Sequence, residues 1–458
     1  MLGRTRPWCS SLVLALCLAA PLRAQDQPAP AAPAAQPEDG GGKPRLKWGL
    51  EGKANYRRSE ENRFAVPFPF RPIDLPPGQT KGFEETVNAG SHLELSLLTL
   101  YLDGIWNESL KAHLKLDFIS LYERNPTSTG VQTNVDEAWI LFGREPGHAL
   151  LAPRSGVYVK VGKFGKFERQ NDRHLESYGL VSTAFNRIED VGLELGADLG
   201  PHVYLKGSYT AGNPVFMRDP NALAGDNGTP ELLQPNPDPR LKSGIVILYD
   251  ARIQDLDQGH PQTGLGLGWR TADPEGRNGI DVMAWGRERK LARNGSIEGS
   301  FYGIDLDLLN GPGDAFPLPV KNDRKREAGA NLWLYLGGFC FFGQYVDQDL
   351  AGLPRTGIEG EAAWSFDLPL VWSLGQQQLF PYIAPAVRYS KLDNKFRNPK
   401  VTPSPSFGWD WEKIDAGLRL GIVGATDLTL EYANNDFVLG SGAHRNNNEY
   451  LVTLRWRV

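Results

Sequence analysis

Cysteine, histidine and methionine are scarce in this chain. Its 458 residues include 3 Cys, 7 His and 3 Met. Cys9 and Cys17 lie in the leader segment described below, so Cys340 is left alone and no disulfide framework can form. The chain has no CxxC or CxxCH motif, and its histidines lack the His-x-x-x-His and His-Glu-x-x-His spacings of metal sites. The sequence therefore predicts no metal, haem or other cofactor.

Long apolar runs are missing as well. The longest one in the body of the chain, 332–342, is interrupted by Gly337 and Gly338. It is shorter than the roughly 18 residues that a membrane-spanning helix needs. If the chain lives in a membrane, it must cross as a closed barrel, because only a barrel pairs all strand hydrogen bonds in lipid.

The first 44 residues do not look like part of a folded core. A basic start, an apolar stretch and a small-residue cleavage site predict a secretory signal peptide over residues 1–24. Lipid attachment at Cys17 is an alternative, although Leu16 is larger than such a signal prefers. Residues 25–44 are rich in Ala, Pro and Gly, which predicts a flexible tether.

An excess of positive charge is also absent. Removal of residues 1–24 takes away Arg4, Arg6 and Arg23 and no acid, which leaves 46 basic against 54 acidic residues and a net charge of −8. Nucleic acid is therefore excluded as an expected partner.

Alternation with a period of two residues dominates from about residue 46 onward, and helical periodicity is scarce. In residues 450–458, a strand would place Leu454 and Trp456 on an apolar side and Arg455 and Arg457 on the other. Glycine recurs on the polar side of other segments. We interpret those glycines as thin positions on the inner wall of a barrel.

A soluble sandwich would also alternate, but the connections favour a membrane barrel. Long connections such as 122–134 and 212–240 take turns with short ones such as 103–104 and 424–427. Long loops on one rim and tight turns on the other are typical of outer-membrane barrels. A closed soluble barrel of this size would also be unable to fill its interior with side chains.

The fold class is therefore predicted as all-β, a large antiparallel transmembrane β-barrel of 16–18 strands over residues 45–458. Long extracellular loops and short periplasmic turns are expected. About 18 candidate strands can be counted. They include 299–309, and the weakest patterns are 135–142 and 428–434.

A family resemblance rests on residues 156–212. A strand runs into Gly162-Lys-Phe164, a basic loop follows, and Asn186-Arg-Ile-Glu189 precedes a glycine-bearing strand. This arrangement resembles the phosphate-selective porin O and P family. The resemblance implies a sixteen-stranded outer-membrane barrel whose third extracellular loop folds into the lumen. The proline that usually follows Gly-Lys-Phe in the family is replaced here by Gly165.

The third long loop, 165–188, is the predicted pore constriction. Clustered Lys and Arg side chains select anions in channels. The candidate anion-binding residues are Lys163, Lys166, Arg169, Arg173 and Arg187. Because acids are interleaved with them, a solvated loop of mixed charge is the alternative. On the strands, alternation predicts lumen-facing cations at Lys160, Lys206, Arg270, Arg419, Arg455 and Arg457.

These features together predict a porin in the cell outer membrane, which passes small hydrophilic solutes, including anions such as phosphate, by diffusion. We expect no catalysis, because no nucleophile or acid–base cluster can be singled out. An outer-membrane enzyme and a structural scaffold barrel are the alternatives. The expected partners are outer-membrane lipids, the solutes, the barrel-assembly machinery and further copies in a homotrimer. The C-terminal strand resembles an assembly signal, but it ends in Val458 where an aromatic residue is usual.

Overall fold

The computed structural model describes most of the chain after residue 43. The described residues are 44–60, 63–66, 82–85, 90–120, 134–144, 156–170, 172–186, 189–212, 261–273, 277–290, 321–350, 352–395, 410–438 and 444–458. The predicted signal peptide and all of the predicted tether except Pro44 lie outside them, as does the candidate strand 299–309.

Sixteen long strands form the body of the molecule. They are β1 (Arg45–Ser59), β2 (Gly90–Asn107), β3 (Leu110–Ser120), β4 (Asn134–Gly143), β5 (Val157–Phe164), β6 (Asp190–Asp198), β7 (Val203–Thr210), β8 (Gln262–Ala272), β9 (Asn278–Lys290), β10 (Arg324–Leu336), β11 (Phe339–Leu350), β12 (Leu353–Trp364), β13 (Tyr382–Asn394), β14 (Asp410–Val423), β15 (Thr426–Val438) and β16 (His444–Arg457). The short segment Phe366–Asp367 prolongs β12 along β13.

Each strand pairs antiparallel with its neighbours, and the first strand closes the sheet on the last. Ala54 of β1 lies opposite Leu454 of β16, and the same strand pairs on its other edge with β2. The fold class is thus confirmed as a closed antiparallel barrel of sixteen strands, at the lower bound of the expected count. The two weakest sequence patterns are both full strands, β4 and β15.

Side chains alternate between an apolar outer face and a charged inner face. On β16, Tyr450 and Leu454 are 55% and 41% exposed, whereas Leu451 and Arg455 are 3% and 8% exposed. An exposed apolar row around a closed sheet is the pattern of a barrel that faces lipid. The inward face instead holds most of the buried charged residues.

Short connections gather on one rim. Two residues join β2 to β3, β10 to β11 and β14 to β15. The opposite rim carries the longer connections, such as 211–261 between β7 and β8, with the two-residue link from β11 to β12 as an exception. Residues 144–156 and 365–381 are long for the short-turn rim. An even number of strands brings both ends of the barrel sheet to that rim.

The remaining elements are small. Paired segments Arg63–Val66 and Gly82–Glu85 lie between β1 and β2, and Ser373–Leu374 pairs with Gln377–Gln378. One helical turn, Ser182–Asn186, follows β5. Among the described residues, no helix has the length and apolar character to cross a membrane.

Candidate functional site

The connection between β5 and β6 lies inside the barrel. We call residues 165–189 the inward segment; within it, residues 171, 187 and 188 are outside the described part. Its contacts reach the inner faces of β1 and of every strand from β9 to β16. A surface loop could not touch so many walls, so this segment lies in the lumen.

The beginning of the segment is fixed by Glu168. Its carboxylate, 0% exposed, accepts two hydrogen bonds from Arg287 of β9, at 2.9 and 2.7 Å. Its backbone carbonyl accepts further bonds from the side-chain amides of Asn331 and Gln344. A bidentate Arg–carboxylate pair fixes orientation as well as distance. This end of the segment is therefore held against β9, β10 and β11.

The middle of the segment is fixed by Glu176. Its carboxylate lies 2.9 Å from Lys53 of β1, 3.0 Å from Arg419 of β14 and 3.7 Å from Arg455 of β16. Burial alone would raise the pKa of Glu176, but these three positive charges outweigh it and hold the pKa well below its usual range. The charged Glu176 thus links β1 with β14 and β16, which lie on the two sides of the seam where the barrel closes.

Ser177 extends this anchor. Its hydroxyl contacts Glu431, lies 3.2 Å from Asp415 and accepts a 2.5 Å bond from Arg388. Arg388 also donates to Asp415 at 2.8 Å and to Glu361 at 3.2 Å, and its side chain is 0% exposed. The buried guanidinium is therefore neutralised by two carboxylates, as a buried charge requires.

Glu359 of β12 binds the start of the helical turn. One carboxylate oxygen accepts from the backbone N–H groups of Val181 and Ser182, at 2.9 and 3.2 Å. The other oxygen accepts from the Ser182 hydroxyl at 2.7 Å. Gly179 lies so close that an added Cβ would overlap the same carboxylate. An acceptor at the first N–H groups of a helical turn replaces the missing backbone carbonyls.

Apolar contacts complete the docking. Leu180, Val181 and Phe185 are 1%, 0% and 3% exposed and belong to one cluster with inward-facing side chains of the wall. The wall residues of that cluster are Tyr204, Met283, Trp285, Trp333, Phe342, Val346, Leu392 and Trp411. Two inward glycines make room: a Cβ on Gly357 would lie 2.8 Å from both Val181 and Phe185, and one on Gly417 would lie 2.5 Å from Leu175.

His174 contacts Cys340, the one cysteine among the described residues. The imidazole nitrogens lie 3.6 and 3.7 Å from Cys340 Sγ of β11, and Nδ1 lies 3.4 Å from Glu361 Oε1. Burial alone would lower the pKa of His174, but hydrogen bonds to Cys340 and Glu361 and the negative charge of Glu361 raise it to about 9. The ring is therefore charged at neutral pH, and it adds a further cation-based anchor on β11 and β12.

The predicted constriction cations occupy different surroundings. Lys166 is buried and donates to the Phe185 carbonyl at 2.7 Å. Arg169 bonds Glu189 at the other end of the segment. Arg173 stacks on the Tyr178 ring, with its guanidinium carbon 3.6 Å from the ring centroid, and donates to the Ser177 carbonyl. Arg187 lies outside the described residues.

Lys163 lies elsewhere than expected. It has the same parity on β5 as the exposed Val157 and Val161, and its ammonium donates to the Val135 carbonyl. Because successive side chains of a strand point to opposite faces, Lys163 lies on the outer side. Lys166, Arg169 and Arg173 all lie in the inward segment. Lys166 and Arg169 each have a carboxylate within salt-bridge distance. Of these three cations, only Arg173 has no such carboxylate in the described chain, and it is not fully buried.

The predicted strand cations all lie on inward positions. Arg270 pairs with Asp198 at 2.6 Å, and Arg455 pairs with Asp427 at 2.5 Å. Three more of these cations also form ion pairs with the wall or the inward segment: Lys160 with Glu194, Arg419 with Glu176 and Arg457 with Glu51. Lys206 differs: no carboxylate of the described chain is in salt-bridge range, and its ammonium lies 6.0 Å from the Phe167 ring.

Sequence reasoning missed Arg355 of β12. It is 1% exposed and lies over the Phe185 ring, and within the described part of the chain it donates only to the neutral Gln348 amide oxygen. It also missed the apolar side chains that dock the segment. The presence of Leu175, Leu180 and Val181 in a charged loop could have predicted that the loop is buried, since solvated loops rarely carry such a cluster of apolar residues.

Comparisons with known proteins reach only the fold. No protein-family model matches the chain, and no curated protein matches it. The resemblance to the phosphate-selective porin O and P family therefore stays a prediction. Solved structures with a similar fold include three outer-membrane proteins at 8–10% identity.

The first of these structures is the outer membrane channel DcaP of Acinetobacter baumannii, with a TM-score of 0.48 over 91% of this chain and 97% of that one. The second is OprB of Pseudomonas putida, with 0.47 over 90% and 94%. The third is an anion-selective porin of Comamonas acidovorans, with 0.44 over 91% and 100%. At such scores they add nothing to what the strand pairing of this chain itself establishes.

Proposed function

We propose that this protein is an outer-membrane channel through which small hydrophilic solutes diffuse, and that the inward segment constricts its lumen. The observation that carries the proposal is the combination of a closed barrel, apolar outside and charged inside, with a segment anchored across its interior. Large barrels of this kind enclose aqueous channels. No catalytic group is needed, because passage follows from lumen width and charge.

The finer proposal is a preference for anions such as phosphate. Its support is a small set of cations on the lumen side that have no carboxylate within salt-bridge distance in the described chain: Arg173, Lys206 and Arg355. Most of the other described lumen cations, such as Lys53, Arg270, Arg388 and Arg455, pair with acids and would contribute little net potential. Positive charge near a narrow passage raises the local concentration of anions.

Two measurements test these proposals. Proteoliposomes that contain the folded barrel should swell in isotonic solutions of small sugars, and the rate should fall steeply as the sugar grows. Vesicles that do not swell would contradict diffusion through the lumen. In planar bilayers under a KCl gradient, the reversal potential should have the sign of chloride preference, and a cation-selective reversal would refute the anion proposal.

Selectivity should depend on the unmatched cations. The double variant Arg173→Gln, Lys206→Gln should lose most of the chloride preference. Lys290→Gln is the matched control, because that lysine is 61% exposed on the outer face. An unchanged reversal potential in the double variant would place the selective charges elsewhere. We further propose that the barrel inserts through the assembly machinery. We also propose that it forms a homotrimer, and the mass of the detergent-solubilised protein tests that oligomeric state directly.

A further inference from the structure

Three acids meet where the inward segment returns to the wall. Asp136 and Glu137 lie near the beginning of β4, and Glu189 is the last residue before β6. One carboxylate oxygen from each residue lies within 4.8 Å of the other two. The predicted constriction and the anion proposal use none of these side chains.

The local backbone explains why two neighbouring acids face the same way. Lys115 of β3 is opposite Glu137, whereas the next residue, Leu116, is opposite Val135. Asp136 is therefore the extra residue of a bulge, which interrupts the strict alternation of faces. As a result Asp136 is buried and Glu137 remains half-buried beside it.

Among the described residues, cations contact two of the three acids. Lys115 contacts Asp136, and Arg169 contacts Glu189, whereas Glu137 accepts from the neutral indole of Trp139. Asp117 on β3 is a further acid close to Lys115, and it accepts a hydrogen bond from Thr99. A carboxylate that has no cation beside it favours an additional cation.

One oxygen also lacks a partner. Asp136 is 0% exposed, and its Oδ1 accepts no hydrogen bond within the described part of the chain. Leaving a buried carboxylate oxygen without a donor is costly, and such an atom calls for a proton donor or a metal ion. Carboxylate oxygens are the ligands of hard divalent cations. Ca²⁺ tolerates irregular geometry, whereas Mg²⁺ demands a near-ideal octahedron.

We propose that Asp136, Glu137 and Glu189 bind a divalent cation of the Ca²⁺ type. The ion joins β4 to the end of the inward segment. Because Arg169 at the beginning of that segment also holds Glu189, the ion closes the root of the segment on the barrel wall. This inference does not depend on the proposed channel function.

Trp139 provides a local reporter. Its indole Nε1 donates to Glu137 Oε2 at 3.2 Å, so the ring lies beside the proposed ion. Tb³⁺, which replaces Ca²⁺ at oxygen sites, emits when a neighbouring indole is excited. The protein should be refolded in EDTA and detergent without lipopolysaccharide, because lipopolysaccharide binds Ca²⁺ itself. Titration with Tb³⁺ should then give saturable emission that Ca²⁺ removes.

Four variants decide the assignment. Glu137→Gln keeps an acceptor for Trp139 but removes a charged ligand, and should weaken Ca²⁺ binding about tenfold or more in calorimetry. Glu288→Gln, an exposed acid bound by arginines on the outer face, should bind like the unmodified protein. Trp139→Phe should lose the emission but retain calorimetric binding. Glu189→Gln replaces Glu137→Gln if the latter fails to fold, as judged by its heat-dependent gel mobility.

Two outcomes would overturn the proposal. One is the absence of saturable Ca²⁺ binding to the folded protein, which would leave an ion-pair network without metal. The other is binding that neither carboxylate variant weakens, or emission that survives Trp139→Phe, since either would place the ion elsewhere.

Discussion

Glu359 should control how firmly the inward segment is held. Replacing it by Ala removes the acceptor of the Val181 and Ser182 N–H groups and of the Ser182 hydroxyl. A buried donor without a partner costs about 1–3 kcal/mol. Two N–H groups therefore give about 2 kcal/mol at the lower end of that range. Since about 1.4 kcal/mol changes an equilibrium tenfold, local opening should increase roughly 30-fold or more.

Hydrogen–deuterium exchange of the folded barrel measures this opening. Peptides that cover residues 179–186 should exchange faster in Glu359→Ala by about the same factor, and Glu359→Gln should lie in between because its amide oxygen can still accept. Glu194→Ala is the matched control. Glu194 is also inward and buried, but it bonds Tyr158 and Lys160 of β5 and not the inward segment. Unchanged exchange of 179–186 in a folded Glu359→Ala variant would refute the anchoring role.

Three further predictions follow from the same contacts. The folded protein raises the pKa of His174 to about 9, above its usual value near 6.5. The charged ring therefore contributes its full stabilisation of the inward segment below about pH 6.5, and this contribution is lost as the pH rises through 9. Hydrogen exchange of residues 172–176, corrected for intrinsic rates, should increase between pH 6 and 9.5, and His174→Asn should abolish that pH dependence. Gly417→Ala should displace Leu175 and enlarge exchange at 173–177, whereas Gly286→Ala, where a Cβ has ordinary contact at 3.6 Å, should not. Leu195 lies at an outward position and is 47% exposed. Leu195→Arg should lower the free energy of unfolding in lipid vesicles by about 2–4 kcal/mol, as measured by urea titration. A change near zero would contradict a lipid-facing wall.

The alternation in the sequence was sufficient to predict the barrel and the direction of most side chains. Tyr450 faces out and Arg455 faces in because a strand has a strict period of two. The same alternation places Lys163 on the outer face, because it has the same parity on β5 as Val157 and Val161. The prediction of a lumen position rested instead on its nearness in sequence to the basic loop, and it was wrong.

The partners of the inward segment could not be predicted in the same way. Glu359 and Val181 are 178 positions apart, and no local periodicity relates them. The charge of Lys166 suggested a side chain free to meet anions, yet it is buried and bonded to the Phe185 carbonyl. Which charges of a lumen are matched depends on how the segment closes against the far wall. That closure depends on tertiary contacts of the whole barrel and not on the composition of the loop.

Single-channel recording tests the central claim most directly. The refolded barrel, added to a planar bilayer in KCl, should produce discrete current steps of uniform size, and Glu359→Ala should produce larger or noisier steps because its inward segment is held less firmly. A folded protein that inserts into the bilayer and passes no current, with or without that substitution, would contradict the account and identify the barrel as a scaffold.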